Sequence, residues 1–137
     1  IDIISCNGLS YKKYLEIAKK TNHKVAVITD NDGKRENVEY MKKYNAENEG
    51  SHIFMSDDTG DSGWTWEANI YSLNKSLIEG LIAIEDGAQY LFRGRKYEPY
   101  LGKMLNNKVE TAFQLLPKIG ELKCPQYVLE AFEWIRN

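Results

Sequence analysis

Two carboxylates stand two residues apart directly after an apolar run in the first quarter of the chain. Lys24–Thr29 is rich in β-branched residues, which predicts a strand covered on both faces of a sheet. In open parallel sheets, ligands bind at the carboxyl ends of strands, so Asp30 and Asp32 can converge on one ligand there. Their hard oxygens suit Mg²⁺ or Mn²⁺ better than zinc, and Gly33 permits the tight turn that leaves the site.

By itself this motif is open to other interpretations. Asp-Gly and Asn-Asp are ordinary turn dipeptides, so a solvated turn explains Asp30–Gly33 nearly as well as a metal site does. The position at a strand end favours a ligand site. An Asp-x-Asp motif also fits phosphatases, glycosyltransferases and receiver domains.

Hydrophobic periodicity indicates the elements that must position this turn. The predicted order is strand 1–6, a turn at Asn7-Gly8, helix 10–22 capped by Ser10, strand 24–29, helix 35–45 and strand 52–56. Because strands and helices alternate, we predict an α/β fold with a parallel sheet and right-handed crossovers.

After the polar loop 57–63 the periodicity is mostly helical. Helices are predicted at 66–73 and 74–84, then one marked by Val109, Ala112, Phe113 and Leu116 and ended by Pro117 and Gly120, and a last one after Pro125 marked by Val128, Ala131, Phe132 and Ile135. We therefore expect one domain over 1–137, with an α/β core in 1–62 and a mostly helical part in 63–137.

Composition limits the classes of protein that the chain can belong to. A hydrophobic fraction of 42% is that of an ordinary globular domain, and no apolar run is long enough for a bilayer, so we expect a cytoplasmic protein without a membrane partner. The net charge of −2 lacks the basic surplus of a free-standing DNA-binding module. Cys6 and Cys124 have no partner motif and are interpreted as reduced thiols.

Several blocks of the chain together resemble one family. Residues 3–18, followed by 24–33, resemble the C-terminal Toprim domain of OLD-family ATP-dependent endonucleases, named after the overcoming-lysogenization-defect protein; the nuclease subunit of the Gabija anti-phage system is a relative. Thr65-Trp-Glu67 is similar to a Thr-Leu-Glu element of the family, and Lys108–Phe113 to its Lys-Thr-Glu-x-Ala helix start. Residues 125–135 are similar to its closing helix.

The resemblance implies a Rossmann-like Toprim fold and metal-dependent hydrolysis of DNA. Asp30, Asp32 and Glu67 would hold one or two Mg²⁺ or Mn²⁺ ions, and Lys108 would be catalytic. The implied partners are DNA and an N-terminal ATPase domain that binds ATP. The resemblance also implies that a homodimer is a possible assembly and that phage defence is a possible biological role. The family's first strand, which bears a Glu, has no counterpart here, so we expect the chain to be a fragment that starts after that strand.

Each residue taken over from the family also has a simpler interpretation. Glu67 near a helix start fits a helix cap or a surface glutamate, and Thr65 is a good N-cap in either case. Lys108 opens a helix, where a cation opposes the dipole; that misfit favours a functional reason over an ordinary exposed lysine.

Other polar and aromatic residues are predicted to have ordinary roles. We interpret Asp57, Asp58 and Asp61 as a solvated loop rather than ligands; Arg93, Arg95 and Lys96 as a loop cluster that could meet phosphate; Trp64 and Trp66 as packing residues; and His23 and His52 as non-ligands.

Three alternative functions stay open. The first is another Toprim reaction, as in a primase or a topoisomerase, although the chain gives no sign of a nucleophilic tyrosine. The second is a phosphatase or receiver-like domain that uses Asp30 as a phospho-acceptor. The third is a catalytically incomplete Toprim module that serves interaction or dimerisation.

Overall fold

Helices and short strands alternate in the first part of the chain, and helices dominate the rest. The computed structural model describes residues 1–6 and 11–137. The elements are α1 Tyr11–Thr21, β1 Val25–Ile28, α2 Arg35–Glu47, β2 Ser51–Phe54, α3 Trp66–Leu73, α4 Lys75–Leu81, β3 Leu91–Phe92, β4 Arg95–Lys96, α5 Pro99–Asn106, α6 Lys108–Leu115, a 3₁₀ helix Leu116–Glu121 and α7 Gln126–Arg136. None of the helices in these ranges has both the length and the apolar character needed to cross a bilayer.

The α/β part is built on one pair of parallel strands. β1 and β2 pair in register from Val25 opposite Ser51 to Ile28 opposite Phe54, and α2 forms the crossover between them. Helices α1, α2 and α7 pack against these strands. The core beneath them consists of Leu15, Val27, Val38, Met41, Ile53 and Met55. The predicted α/β fold with a parallel sheet flanked by helices is confirmed.

The predicted first strand is wrong for the described residues 1–6. This segment has no strand hydrogen bonding, and Ile1, Ile3 and Ile4 are 78%, 85% and 64% exposed. Within the described ranges β1 pairs only with β2, and residues 1–6 do not hydrogen-bond to the other edge of β1 as a strand would. Coverage of β1 is incomplete at its carboxyl end, where Ile28 is 44% exposed, although α1 and α7 both pack against the strand. The turn at Asn7-Gly8 and the Ser10 cap lie outside the described residues.

A second core lies under the helical part. It joins α3, α4, α5 and α6 through Trp64, Ala68, Ile70, Tyr71, Ile78, Ile82, Leu101, Met104, Leu105 and Leu115. The β3–β4 hairpin beside it was not predicted from the sequence. Its turn places Arg93 and Gly94 at φ 52° and 76°, as two-residue hairpin turns require. The basic cluster at 93–96 therefore lies on a hairpin rather than in a loop.

The apolar stripe that predicted helix α6 lies on its outer face. Val109, Phe113 and Leu116 are 71%, 68% and 53% exposed, whereas Thr111 and Leu115 are buried. Periodicity indicates that a helix is amphipathic, but the neighbours decide which side is covered, and here α4 and α5 cover the Thr111 side. The α-helix ends at Leu115, and the chain continues as a 3₁₀ helix.

Candidate metal centre

The turn after β1 has a backbone geometry that depends on its residue types. Asp32 and Gly33 have φ of 56° and 71°, and the N–H of Lys34 donates to the carbonyl of Asn31 at 3.0 Å. Two consecutive positive φ values are the pattern of a type I′ turn, which Asp and Gly tolerate best. The turn leaves Asp30 half-buried and Asp32 exposed, so the two carboxylates lie in different environments.

The amino end of α3 lies against Asp30. Thr65 caps the helix through Oγ1, which accepts from the N–H of Ala68 at 3.2 Å, and this confirms the predicted N-cap. The backbone N–H of Trp66, the first helical residue, donates to the Asp30 carboxylate and lowers its pKa. Glu67 is the second residue of the same helix. Both carboxylates thus lie at a helix N-terminus, where negative charge is stabilised.

Lys108 and Glu67 form an ion pair that joins α6 to α3. Lys108 Nζ lies 3.1 Å from Glu67 Oε1; the glutamate side chain is only 9% exposed, whereas the lysine side chain is 51% exposed. Glu67 Oε2 is buried and has no hydrogen-bond partner in the part of the chain that the structure describes. A buried carboxylate oxygen without a partner is costly, and such an atom points to a missing ion or water. Glu67 is therefore neither a surface glutamate nor a simple cap.

Asp30 is held in an environment that disfavours its charge. Burial and the neighbouring charge of Glu67 raise the pKa of Asp30 to about 6, against the lowering effects of the Trp66 N–H and Lys108, with a smaller raising effect of Asp32. Asp30, Asp32 and Glu67 outnumber Lys108, the cation that acts on Asp30 among the described residues. The local charge is therefore negative, as a site for a cation requires.

A buried tyrosine that the sequence did not single out lies beside the same carboxylates. Burial, and then the charges of Asp30, Cys124 and Glu67, raise the pKa of the Tyr127 hydroxyl. Tyr127 is 7% exposed and is the second residue of α7. The sequence signal was its place two residues after Pro125 at the start of the closing helix, which gives no indication of the distant carboxylates.

The remaining candidate residues lie away from this cluster or at the surface. Asp57 pairs with Lys42 at 3.1 Å and Asp61 with Arg95 at 2.6 Å, and all four side chains are more than half exposed. Trp64 is buried in the helical core, whereas Trp66 is 38% exposed. His52 stacks on Trp134 at 4.5 Å between ring centroids, whereas His23 is exposed; Arg93 and Lys96 are also exposed.

The structure brings together Asp30, Glu67 and Lys108, and it leaves Asp32 at the outer side of the turn. Within residues 1–6 and 11–137, no group of three or more His, Cys, Asp or Glu side chains is close enough to hold a metal ion. The donors that do meet are hard carboxylate oxygens, one of them unpaired, and they fit part of a Mg²⁺ or Mn²⁺ ligand set.

Comparison with known proteins gives one match. Residues 1–32 match the sequence model of the family described as overcoming lysogenization defect protein-like, TOPRIM domain. The matched segment ends on Asp32 and so includes both aspartates, but neither Glu67 nor Lys108. No curated protein and no solved structure matches the chain. The match supports a Toprim domain of the OLD-like type and, in general terms, a metal-dependent function related to nucleic acids.

Proposed function

We propose that the chain is the Toprim domain of a metal-dependent DNA endonuclease or nickase that hydrolyses phosphodiester bonds as part of a larger ATPase–nuclease. The observation that carries the proposal is the unpaired, buried Oε2 of Glu67, held beside Asp30 at the carboxyl end of β1. The family match on the segment that ends in Asp30-Asn-Asp32 supports the same chemistry independently.

In this proposal the carboxylates bind the cation and Lys108 keeps them in place. Asp30, Asp32 and Glu67 hold Mg²⁺ or Mn²⁺, which when bound supplies Lewis-acid stabilisation of the phosphate charge and lowers the pKa of water. Lys108 Nζ fixes Glu67 through Oε1, which leaves Oε2 free for the cation. The same ammonium supplies a fixed positive charge where negative charge develops on the scissile phosphate.

The proposed partners follow from this role. The chain's net charge of −2 gives no general attraction to a polyanion, so the bound cation and local lysines must supply it. DNA is the proposed substrate, an ATP-binding domain of the same protein the proposed regulator, and a homodimer the proposed assembly.

A plasmid-nicking assay with a matched control tests the proposal. The protein that contains this chain is incubated with supercoiled DNA and Mg²⁺ or Mn²⁺, as wild type, Asp30→Ala and Asp61→Ala. We expect Asp30→Ala to reduce nicking to background, because a cation ligand is lost, and Asp61→Ala to leave it unchanged, because that carboxylate is exposed and paired with Arg95. Retained cleavage by Asp30→Ala would contradict the proposed metal-dependent endonuclease function.

A non-catalytic interaction module is the second candidate. The exposed apolar side chains of Val109, Phe113, Leu116 and Ile119, together with the incomplete ligand set, favour it. A thermal-shift titration with Mg²⁺, Mn²⁺ and Ca²⁺ separates the two. Stabilisation that disappears in Asp32→Asn favours the metal site, and no stabilisation by any of the three ions favours the module.

A further inference from the structure

Asn31, between the two aspartates, is the most completely hydrogen-bonded side chain near the candidate metal centre. It is fully buried, with 0% of its surface exposed. The two N–H groups of its Nδ2 face the carbonyls of Ser56, Asp58 and Gly63 at 2.9, 2.8 and 3.2 Å, so one N–H is shared between two of them. Its Oδ1 accepts from the N–H of Gly33 at 2.8 Å. The opposite amide orientation would place an oxygen against three carbonyls, so the partners themselves fix which atom is the donor.

These bonds connect the two segments that bear the candidate ligands. Ser56, Asp58 and Gly63 belong to the loop that runs from β2 to α3, and that loop ends directly before the helix that presents Glu67. A second tie runs in parallel, from the N–H of Asp32 to the carbonyl of Trp64 at 3.1 Å. One buried amide thus fixes the Asp30–Gly33 turn relative to the start of α3.

Outside this network the loop has weak attachments. Its ion pairs, Asp57 with Lys42 and Asp61 with Arg95, are exposed, and exposed pairs contribute about 0–1 kcal/mol each. Asp30 and Glu67 also repel each other electrostatically, so nothing in their own interaction holds them close. The buried hydrogen bonds of Asn31 therefore act together with the Asp32–Trp64 backbone bond and the bond from the Trp66 N–H to Asp30 to keep the two carboxylates close.

We infer that Asn31 is a positioning residue for the cation site: it holds Asp30 and Glu67 at the spacing that binds a divalent cation. This role rests on the proposed metal-dependent function. Asn31 itself does not contact the cation or the substrate. Residues that orient metal ligands through hydrogen bonds typically change metal affinity by about 10–100-fold when they are removed.

Asn74 offers a matched control for the test. It is also buried, its Nδ2 donates to the carbonyls of Ile70 and Lys123 at 3.0 Å each, and its Oδ1 accepts from the N–H of Lys123 at 2.7 Å. Its bonds tie the carboxyl end of α3 to the segment before α7, whereas Glu67 lies at the opposite end of α3. Loss of Asn74 therefore reproduces the structural cost without the link to the carboxylates.

The experiment measures Mn²⁺ affinity by calorimetric titration, and metal-free stability by thermal unfolding, for wild type, Asn31→Ala and Asn74→Ala. We expect both variants to unfold at lower temperature, and only Asn31→Ala to bind Mn²⁺ about 10–100-fold more weakly. Unchanged affinity in Asn31→Ala, or an equal loss in Asn74→Ala, overturns the inference. A wild type that binds no Mn²⁺ refutes the proposed function itself, and the inference with it.

A milder variant decides the case if Asn31→Ala does not fold. Asn37 lies on α2, and its Nδ2 donates to the backbone carbonyl of Asn31 at 2.9 Å. The Asn37 side chain is only half-buried. Asn37→Ala should weaken Mn²⁺ binding in the same direction, by less than the factor of about 10–100 expected for Asn31→Ala, because it removes only one bond to the Asn31 backbone. Wild-type affinity in a folded Asn37→Ala would then contradict the positioning role.

Discussion

The two acidic segments that follow the parallel strands differ in how their carboxylates are partnered. After β1, Asp30 is half-buried beside the buried Glu67, one oxygen of which has no partner among the described residues. After β2, the side chains of Asp57 and Asp61 are 63% and 69% exposed, and each is paired with an exposed cation. Both segments look alike in composition, but among the described residues only the first places carboxylates in partly or fully buried positions where their negative charge exceeds the positive charge of Lys108.

This difference separates a candidate site from a solvated loop. A surface carboxylate keeps its hydration and needs no further explanation. A buried carboxylate oxygen without a partner costs free energy, so something must compensate for it. The two segments should therefore respond in opposite ways to the same kinds of substitution.

The largest difference is expected when the cationic partner is removed from each segment. Lys108→Ala leaves Glu67 buried without its ion pair and removes a positive charge from the site. We expect kcat for nicking to fall about 100-fold and stability to fall by about 2 kcal/mol. Arg95→Ala removes the exposed partner of Asp61 and should change neither by a measurable amount. Nicking kinetics and denaturant unfolding of the two variants measure the difference. Equal losses of kcat and of unfolding free energy in Lys108→Ala and Arg95→Ala would contradict the distinction between the two segments.

The next effect, on stability alone, is expected from adding a methyl group to the loop of the second segment. A Cβ at Gly63 would overlap the carbonyl oxygen and the Cβ of Asp58, which are not free to move away. At Gly60 the nearest atom would be the Asp58 carboxylate oxygen at 3.0 Å, the end of a flexible side chain. Gly63→Ala should therefore cost about 2–3 kcal/mol of unfolding free energy and Gly60→Ala well under 1 kcal/mol. Similar unfolding curves for the two variants would contradict the close packing of this loop.

Local signals allowed much of this arrangement to be predicted from the sequence. Helix α3 has the predicted bounds Trp66–Leu73, because Thr65 is a good N-cap. The aspartates lie at the end of a strand as predicted, because the β-branched run before them has a strong strand propensity. Lys108 opens a helix as predicted.

What the sequence did not reveal depends on contacts between distant segments. The approach of Lys108 to Glu67, the place of Tyr127 beside the carboxylates and the three bonds of Asn31 all join residues far apart in the chain, and no local pattern encodes them. The strand predicted for residues 1–6 was wrong for a related reason, because an apolar run does not show whether the segment will pair with another strand.

The smallest effect concerns the protonation of Asp30 without metal. Its folded pKa of about 6 lies above its ordinary value of 3.8, so the folded state binds the proton more tightly. Stability from this group is therefore present below about pH 4 and is lost as pH rises through 6. Asp30→Asn is uncharged throughout, so at pH 7 the metal-free variant should be more stable than wild type by about 1 kcal/mol, after allowance for solvent screening at this partly exposed group.

Thermal unfolding at pH 4, 5, 6 and 7 measures this gap, with Asp57→Asn as the control from the exposed segment. The gap between Asp30→Asn and wild type should open between pH 4 and 7, whereas that of Asp57→Asn should not grow over the same range. Mg²⁺ at pH 7 should reverse the order, because only the wild-type carboxylate gains a cation. A gap for Asp30→Asn that stays constant with pH would mean that Asp30 is as well accommodated as the surface aspartates, and the contrast between the two segments would then fail at its central residue.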